Sequence, residues 1–293
     1  MSDTPLSLSD LLARTPARVL TGRSGTGYRT ATALKLREDH AAARDAVHAE
    51  VDLLRDFGPL VERYGLFEVR TRATTKAEYL RRPDLGRRLS PESVEFIRAN
   101  CEPDVELQIV IGDGLSATAA AVQAPALVEK LFNVVRHSVA GAVGDSGESQ
   151  EEGSASPNAP APPATEWRTT LRPSAFGRPF LVHHCRVGVM NEIGDLLSPE
   201  VLVLLIGERP GLATAESLSA YLAYRPRTGH TDADRNLISN IHARGVSLDD
   251  AAERILKLAA IMKAIGRSGT GVTESQYTPP SSALAAAPAT PPP

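Results

Sequence analysis

The sequence predicts an α/β protein with a mainly parallel sheet and helices on both of its faces. Three observations carry this. Val201-Leu-Val-Leu-Leu-Ile206 is a run of six apolar residues closed by Gly207, a length that suits a strand rather than a helix. A strand apolar at every position leaves no face for water and belongs inside a sheet covered on both sides. From Asp104 onward, strand and helix patterns alternate, which signals βαβ units. The apolar run also ends in Gly207-Glu-Arg-Pro-Gly211, a shaped loop at the strand's carboxyl end, where open α/β sheets place their ligands.

Composition sets the outer bounds. With 293 residues and 42% hydrophobic content, the chain has material for one large domain or two modest ones. A net charge of −3 argues against a protein built mainly to bind nucleic acid. Two cysteines, Cys101 and Cys185, imply no disulfide framework and fit a reducing cytosol. No apolar run approaches the ~20 residues needed to cross a bilayer, and no secretory signal precedes the body. The expectation is a soluble, cytoplasmic protein.

Taken in order, Ser9-Asp10 can cap a short helix over Leu11 and Leu12. Gly22 and Gly27 have Walker spacing, but Tyr28 stands where a lysine should reach phosphates, so the segment fails as a P-loop. Ala31 to Asp56 reads as one long helix with a stripe of Leu36, Ala43, Val47, Val51 and Leu54. This N-terminal third, residues 1–103, holds more helix than it has apolar material to bury, which points to docking on another subunit. Leu66 to Thr71 reads as a short strand, and the arginines at 81, 82, 87 and 88 read as a solvated basic loop. Ser90 caps a helix beginning at Pro91.

The second region, 104–270, opens with the strand Leu107–Gly112. An alanine-rich helix follows, which Pro125 should kink or divide. Phe180–Val187, Val201–Ile206 and Leu218–Tyr224 supply further strands, with a short helix at Asn191–Leu197. Ser247 caps the last helix, whose first turn holds Asp249 and Asp250 and whose buried face is Ile255, Leu258, Ala259, Met262 and Ile265. Residues 141–165 and 271–293 are rich in glycine, serine, proline and alanine, with almost nothing to bury, and should be disordered.

Catalytic machinery is not legible in these residues. His183 and His184 are adjacent, so in a strand they point to opposite faces and share no metal easily. No Cys/His spacing matches a zinc site. A nucleophile elbow is absent, and Cys185 lacks any recognisable nucleophile signature. Gly112-Asp-Gly-Leu-Ser-Ala departs from the dinucleotide fingerprint at its third glycine. Read this way, the chain has a sheet with ligand-competent loops; a stand-alone dehydrogenase with a degenerate glycine loop and a non-catalytic scaffold remain alternatives.

Five motifs in order carry a family resemblance: Thr21-Gly-Arg-Ser-Gly with Arg29-Thr; Arg82-Pro-Asp-Leu-Gly-Arg-Arg-Leu; Ile111-Gly-Asp-Gly-Leu-Ser; Gly207-Glu-Arg-Pro-Gly-Leu with Glu216-Ser-Leu-Ser; and Ile238-Ser-Asn-Ile-His. Together, from about Leu11 to Ile265, the chain resembles the small subunit of ethanolamine ammonia-lyase. The resemblance implies a Rossmann-like domain that closes over adenosylcobalamin at the interface with a catalytic large subunit. In that complex ethanolamine becomes acetaldehyde and ammonia by radical chemistry, with no catalytic residue on this chain. Carried over by motif, the cobalamin contacts are Val187, Glu208 and Leu237; Arg186 or Arg209 either faces the phosphate of the nucleotide loop or is simply paired on the surface. Some relatives have cysteine where Leu237 stands. The long N-terminal extension that some relatives carry, associated with packing into a microcompartment, has no counterpart here, which leaves that location open beside the cytoplasm.

Overall fold

The computed structural model describes residues 7, 22–142, 176–210 and 214–276. The helix expected over Leu11 and Leu12, residues 143–165 of the insertion, Gly211, and the tail beyond 276 lie outside the described residues.

A small hairpin, β1 (Arg23–Ser24) and β2 (Gly27–Tyr28), occupies the segment with failed Walker spacing. Where one long helix was expected there are two, α1 (Thr30–His48) and α2 (Leu53–Tyr64). The break is local chemistry. Ala49 turns extended, and the Asp52 carboxylate accepts the Arg55 N–H at 2.8 Å while Asp56 accepts the Asp52 N–H at 2.9 Å. Aspartates thus take orphan donors of a new helix start, which a continuous helix could not offer them. Of the expected stripe, Val51 is buried, Leu36, Ala43 and Val47 are half-buried, and Leu54 is exposed.

The sheet has six strands in the order β3-β5-β4-β6-β7-β8. These are β3 (Phe67–Arg70), β4 (Leu107–Gly112), β5 (Phe180–His183), β6 (Val201–Gly207), β7 (Leu218–Tyr224) and β8 (Asn236–Ile241). The expected boundary at 103 does not interrupt this sheet, because β3 pairs in parallel with β5. β4 pairs in parallel with both β5 and β6, whereas β6–β7 and β7–β8 are antiparallel. The sheet is therefore mixed rather than uniformly parallel. Parallel neighbours need a crossover of a dozen or more residues, usually a helix. The links flanking β7 contain no α-helix among their described residues.

Two apolar layers cover the sheet. On one face, Leu107, Ile109, Ile111, Val201, Val203 and Leu205 pack with α2, with α5 (Ala117–Ala142) and with α7 (Leu248–Ile265). On the other, Val110, Leu202, Leu204 and Ile206 pack with α4 (Pro91–Asn100) and α6 (Val189–Leu197). All seven residues of β6 are buried, as its unbroken apolar run predicted. Pro125 does not divide α5, which stays helical over 26 residues. Ala120, Ala124, Leu127, Val128 and Leu131 are fully buried along it, so tertiary packing outweighs the one N–H that proline lacks. Ser90 and Ser247 cap their helices as expected. Ile265 is exposed instead of buried, since it ends α7 at the left-handed Gly266. The chain stays docked past 271: Val272 is buried and Arg254 holds Glu274 at 2.7 Å.

The Ser247 hydroxyl accepts the Asp250 N–H at 3.1 Å at the start of α7. Ser247→Ala removes that cap and should lower unfolding free energy by about 1 kcal/mol, read by urea denaturation; an unchanged midpoint would mean water replaces the cap at no loss.

Candidate functional site

From β4 the chain leaves to α5 on one face, and from the adjacent β5 it leaves to α6 on the other. Neighbouring strands that depart to opposite faces leave a crevice at their carboxyl ends. Asp113, the first residue after β4, organises it. Its carboxylate accepts the His184 N–H and the Cys185 N–H, each at 2.9 Å. Lys76, which opens α3 (Lys76–Arg81), lies 3.9 Å from the same carboxylate and donates to the Gly114 carbonyl at 3.4 Å; the lysine and aspartate side chains are 8% and 4% exposed. Burial pulls the Lys76 pKa below its ordinary value, with Asp113 opposing that shift.

The strand expected to run to Val187 stops at His183, because His184 takes a positive φ of 56°. The two histidines accordingly part: His183 meets Glu68 at 2.8 Å, while His184 donates from Nδ1 to the Ala73 carbonyl at 2.9 Å. Thr71 donates to the His184 carbonyl at 3.0 Å and Tyr79 to the Cys185 carbonyl at 2.8 Å. The Arg186 N–H reaches the Gly86 carbonyl at 2.8 Å. Gly86 has no room for a side chain, since an added Cβ would lie 2.8 Å from both Arg186 Cγ and the His184 carbonyl oxygen. Burial also pushes the Cys185 thiol well above its usual pKa, so this cysteine is no ready thiolate.

Held this way, Arg186 and Val187 enter the wall of a cavity of about 550 Å³, with Arg87, Arg88, His230 and Arg235 around it. The opposite wall is the loop before β8, and α6 carries it. Asp195 accepts the Thr228 N–H at 3.1 Å and its hydroxyl at 2.5 Å. Asn191 donates to the His230 carbonyl at 2.8 Å and accepts from Arg235 at 2.8 Å. Gly194 packs so closely on this loop that an added Cβ would sit 1.9 Å from the Pro226 carbonyl oxygen.

Val187 thus lines the cleft. Glu208 follows β6 and accepts the Tyr221 hydroxyl at 3.2 Å. Tyr221 is in register with Leu237 across β7 and β8, so the two side chains share a face, the one on which α6 packs. Leu237, the second residue of β8, is 48% exposed. No ion pair joins Glu208 to Arg209 among the described residues. Sequence reasoning missed Tyr221, Asn191, Asp195 and Arg235; Arg87 and Arg88, read as solvated surface, are exposed and also line the cleft. Asn191 and Asp195 sit four apart on α6, but no spacing rule links them to Tyr221 in β7, to Arg235 before β8 or to Arg87 and Arg88, which other elements supply. The described residues contain no group of three or more histidine, cysteine, aspartate or glutamate side chains that could hold a metal ion.

Fold and site define a class: an α/β protein with an arginine-lined cleft at the carboxyl edge of a doubly covered sheet. Residues 6–143 and 159–273 match the family described as ethanolamine ammonia-lyase light chain (EutC). Similar proteins named ethanolamine ammonia-lyase small subunit include those of Rhodopseudomonas palustris (41% identity, 91% of this chain and 88% of the relative), Bradyrhizobium diazoefficiens (40%, covering 90% and 88%) and Clostridium acetobutylicum (37%, covering 89% and 92%). The chain belongs to the ethanolamine ammonia-lyase small-subunit family.

Two outcomes are expected of the site itself. Asp113→Asn keeps one acceptor and sets an amide N–H against a backbone donor, so unfolding free energy should fall by about 3 kcal/mol in urea titration; a loss below about 0.5 would show that the loop is held elsewhere. Burial, then Glu208, pushes the Tyr221 hydroxyl up to about 12. A raised folded pKa gives stability that is present below the unfolded value of about 10 and lost as pH climbs through the folded one. Wild type should therefore lose stability between pH 10 and 12 more steeply than Tyr221→Phe, and parallel melting curves over that window would contradict the assignment.

Proposed function

We propose that this chain is the small subunit of an adenosylcobalamin-dependent ethanolamine ammonia-lyase and closes over the cofactor where it meets a catalytic large subunit. The observation that carries this reading is the shared face: Val187 lines the cleft, while Glu208 and Leu237 flank Tyr221 on the same face of the sheet. The residues fit the group. A corrin is a broad apolar disc fringed with amides, and here an exposed leucine of β8 and a cleft-wall valine lie on the face that also carries a carboxylate acceptor. When bound, adenosylcobalamin supplies the radical chemistry that turns ethanolamine into acetaldehyde and ammonia.

This chain's own part is to bind, orient and cover. Val187 and Leu237 pack the apolar body, and Glu208, held by Tyr221, accepts an amide N–H. The two-faced sheet with its crevice supports a Rossmann-like description of the 104–270 region. The 1–103 region supports docking on the large subunit, since α1 buries only Ala46 along its 19 residues. No helix among the described residues is long and apolar enough to cross a membrane. The cytoplasm is the proposed location, with a microcompartment as the alternative.

Titration of the reconstituted two-subunit complex with cobalamin, followed by its absorption, tests this. A charge-assisted contact contributes roughly 1.5–3 kcal/mol, so Glu208→Ala should weaken binding about 10- to 100-fold and Glu208→Gln less. Unchanged affinity in a folded Glu208→Ala complex would refute the residue's role, and ammonia release by the pure chain plus adenosylcobalamin would refute the division of labour.

A further inference from the structure

At the opposite edge of the sheet from Asp113 and Glu208 lies a second cavity, of about 220 Å³, which the cofactor reading leaves unused. Strand register sets its place: Tyr224, at the end of β7, pairs with Val201, the first residue of β6. Of its lining residues only His230 is shared with the cleft. Three arginines from separate stretches meet there, Arg225 after β7, Arg227 in the loop before β8 and Arg267 beyond α7, with one carboxylate, Asp234. Three minus one leaves a surplus of two. Asp234 is already committed, accepting the Thr231 N–H at 2.7 Å and the Thr231 hydroxyl at 3.0 Å. Arg227 and Arg267 form no ion pair among the described residues. Arg225 reaches Glu200 only at 3.9 Å, and Lys263 holds that carboxylate at 3.1 Å.

Two further observations are independent of the charge count. Arg225 sits at a φ of 39°, in the left-handed region that favours glycine. Strain of this kind persists only where the surroundings over-determine it, and it clusters at ligand sites. Here the Arg225 N–H is held by the Glu200 carbonyl at 2.8 Å. His230 Nδ1 is buried without a hydrogen-bond partner, although the backbone N–H and carbonyl of that residue are taken by Arg227 and Asn191. A buried ring nitrogen left unpaired is uncommon and points to a partner from outside the chain. The walls are braced as well. Ser268 accepts the Tyr224 N–H at 2.9 Å and donates to the Asp234 carbonyl at 2.6 Å, and the Arg225 guanidinium lies over the Tyr224 ring at 5.6 Å. One effect opposes an anion: α7 ends at Gly266 in the cavity wall, and a helix carboxyl end carries about half a negative charge. A surplus of two positive charges outweighs it.

We propose that this second cavity binds one small, free oxyanion of the phosphate class. Guanidinium forks match the oxygens of such a group two at a time. The volume falls below the roughly 300–1,000 Å³ of pockets that take drug-sized ligands, so the occupant is inorganic phosphate or a short phosphomonoester rather than a nucleotide or a corrin. Arg227 and His230 belong to the loop that also walls the cleft, so the occupant braces that wall from behind. The site does not depend on the cofactor reading.

Inorganic phosphate and glycerol phosphate are titrated by calorimetry into the full-length chain and into Arg227→Gln/Arg267→Gln, two exposed side chains whose loss should leave the melting temperature in phosphate-free buffer unchanged. The expected result is at least tenfold weaker binding in the double variant and a smaller loss in Arg227→Lys/Arg267→Lys, which keeps the charge. The ligand that binds wild type more tightly names the source, free phosphate or a monoester. Its binding should also slow hydrogen exchange in residues 225–235 and 266–271, while the cleft variant Arg87→Gln/Arg88→Gln binds like wild type. Binding of neither compound by wild type overturns the proposal, as does equal binding by wild type and the glutamine variant. A loss as large in the cleft variant overturns it too, since the anion would then sit elsewhere.

Discussion

Both oxygens of the Asp113 carboxylate accept backbone N–H groups of the neighbouring strand's exit, those of His184 and Cys185. The donors lie just past the end of β5, where ladder pairing has stopped and two buried N–H groups would otherwise go unsatisfied. One side chain thereby joins the carboxyl ends of two adjacent strands at the point where the chain departs toward opposite faces. His184 can then be held at a positive φ, a region that costs an ordinary residue about 1–2 kcal/mol. Its surroundings offset that strain, with Thr71, Ala73 and Tyr79 each bonding to residues 184 or 185. Everything the cleft presents from this side, Arg186 and Val187 above all, depends on that anchorage.

The other wall depends on α6. Its buried face, Val189, Met190, Ile193 and Leu197, packs on the sheet, while Asn191 and Asp195 on its outer side hold the loop before β8. Gly194 allows that loop to touch the helix backbone, as no residue with a Cβ could at that separation. The cleft is therefore an opening between two rigid parts. One is a strand exit pinned by a carboxylate, and the other is a loop clamped to a helix. The guanidinium groups of Arg186, over the Tyr79 ring, and of Arg235, bonded to Asn191, keep their places without a ligand.

Layering decides where such a site can exist. β6 is paired on both edges and covered on both faces, so no part of it is available for chemistry until it ends at Gly207. Gly207 itself is crowded by backbone, an added Cβ falling 1.9 Å from the Ser116 carbonyl oxygen, and Glu208 is the first residue free to take up a role. α1 shows the opposite condition, a helix whose apolar stripe finds little among the described residues to cover it.

The sequence by itself determined the class of fold, the bounds of β4, the burial of β6, the caps at Ser90 and Ser247, and the family, because each rests on local pattern. Apolar runs, capping residues and ordered motifs are read within a few positions of one another. It also singled out Val187, which lines the cleft. Tertiary structure alone decided the antiparallel turn of the sheet at β7, the passage of α5 through Pro125, the split between α1 and α2, and the gathering of Arg87, Arg88, Arg186 and Arg235 around one cavity. Tyr221 between Glu208 and Leu237 belongs with these. The physical reason is range: the bonds that build the cleft join Asp113 to residues 71 and 72 positions away and Asn191 to one 44 away. No propensity or periodicity encodes such pairs, and they come into being only when the sheet brings its strand ends together.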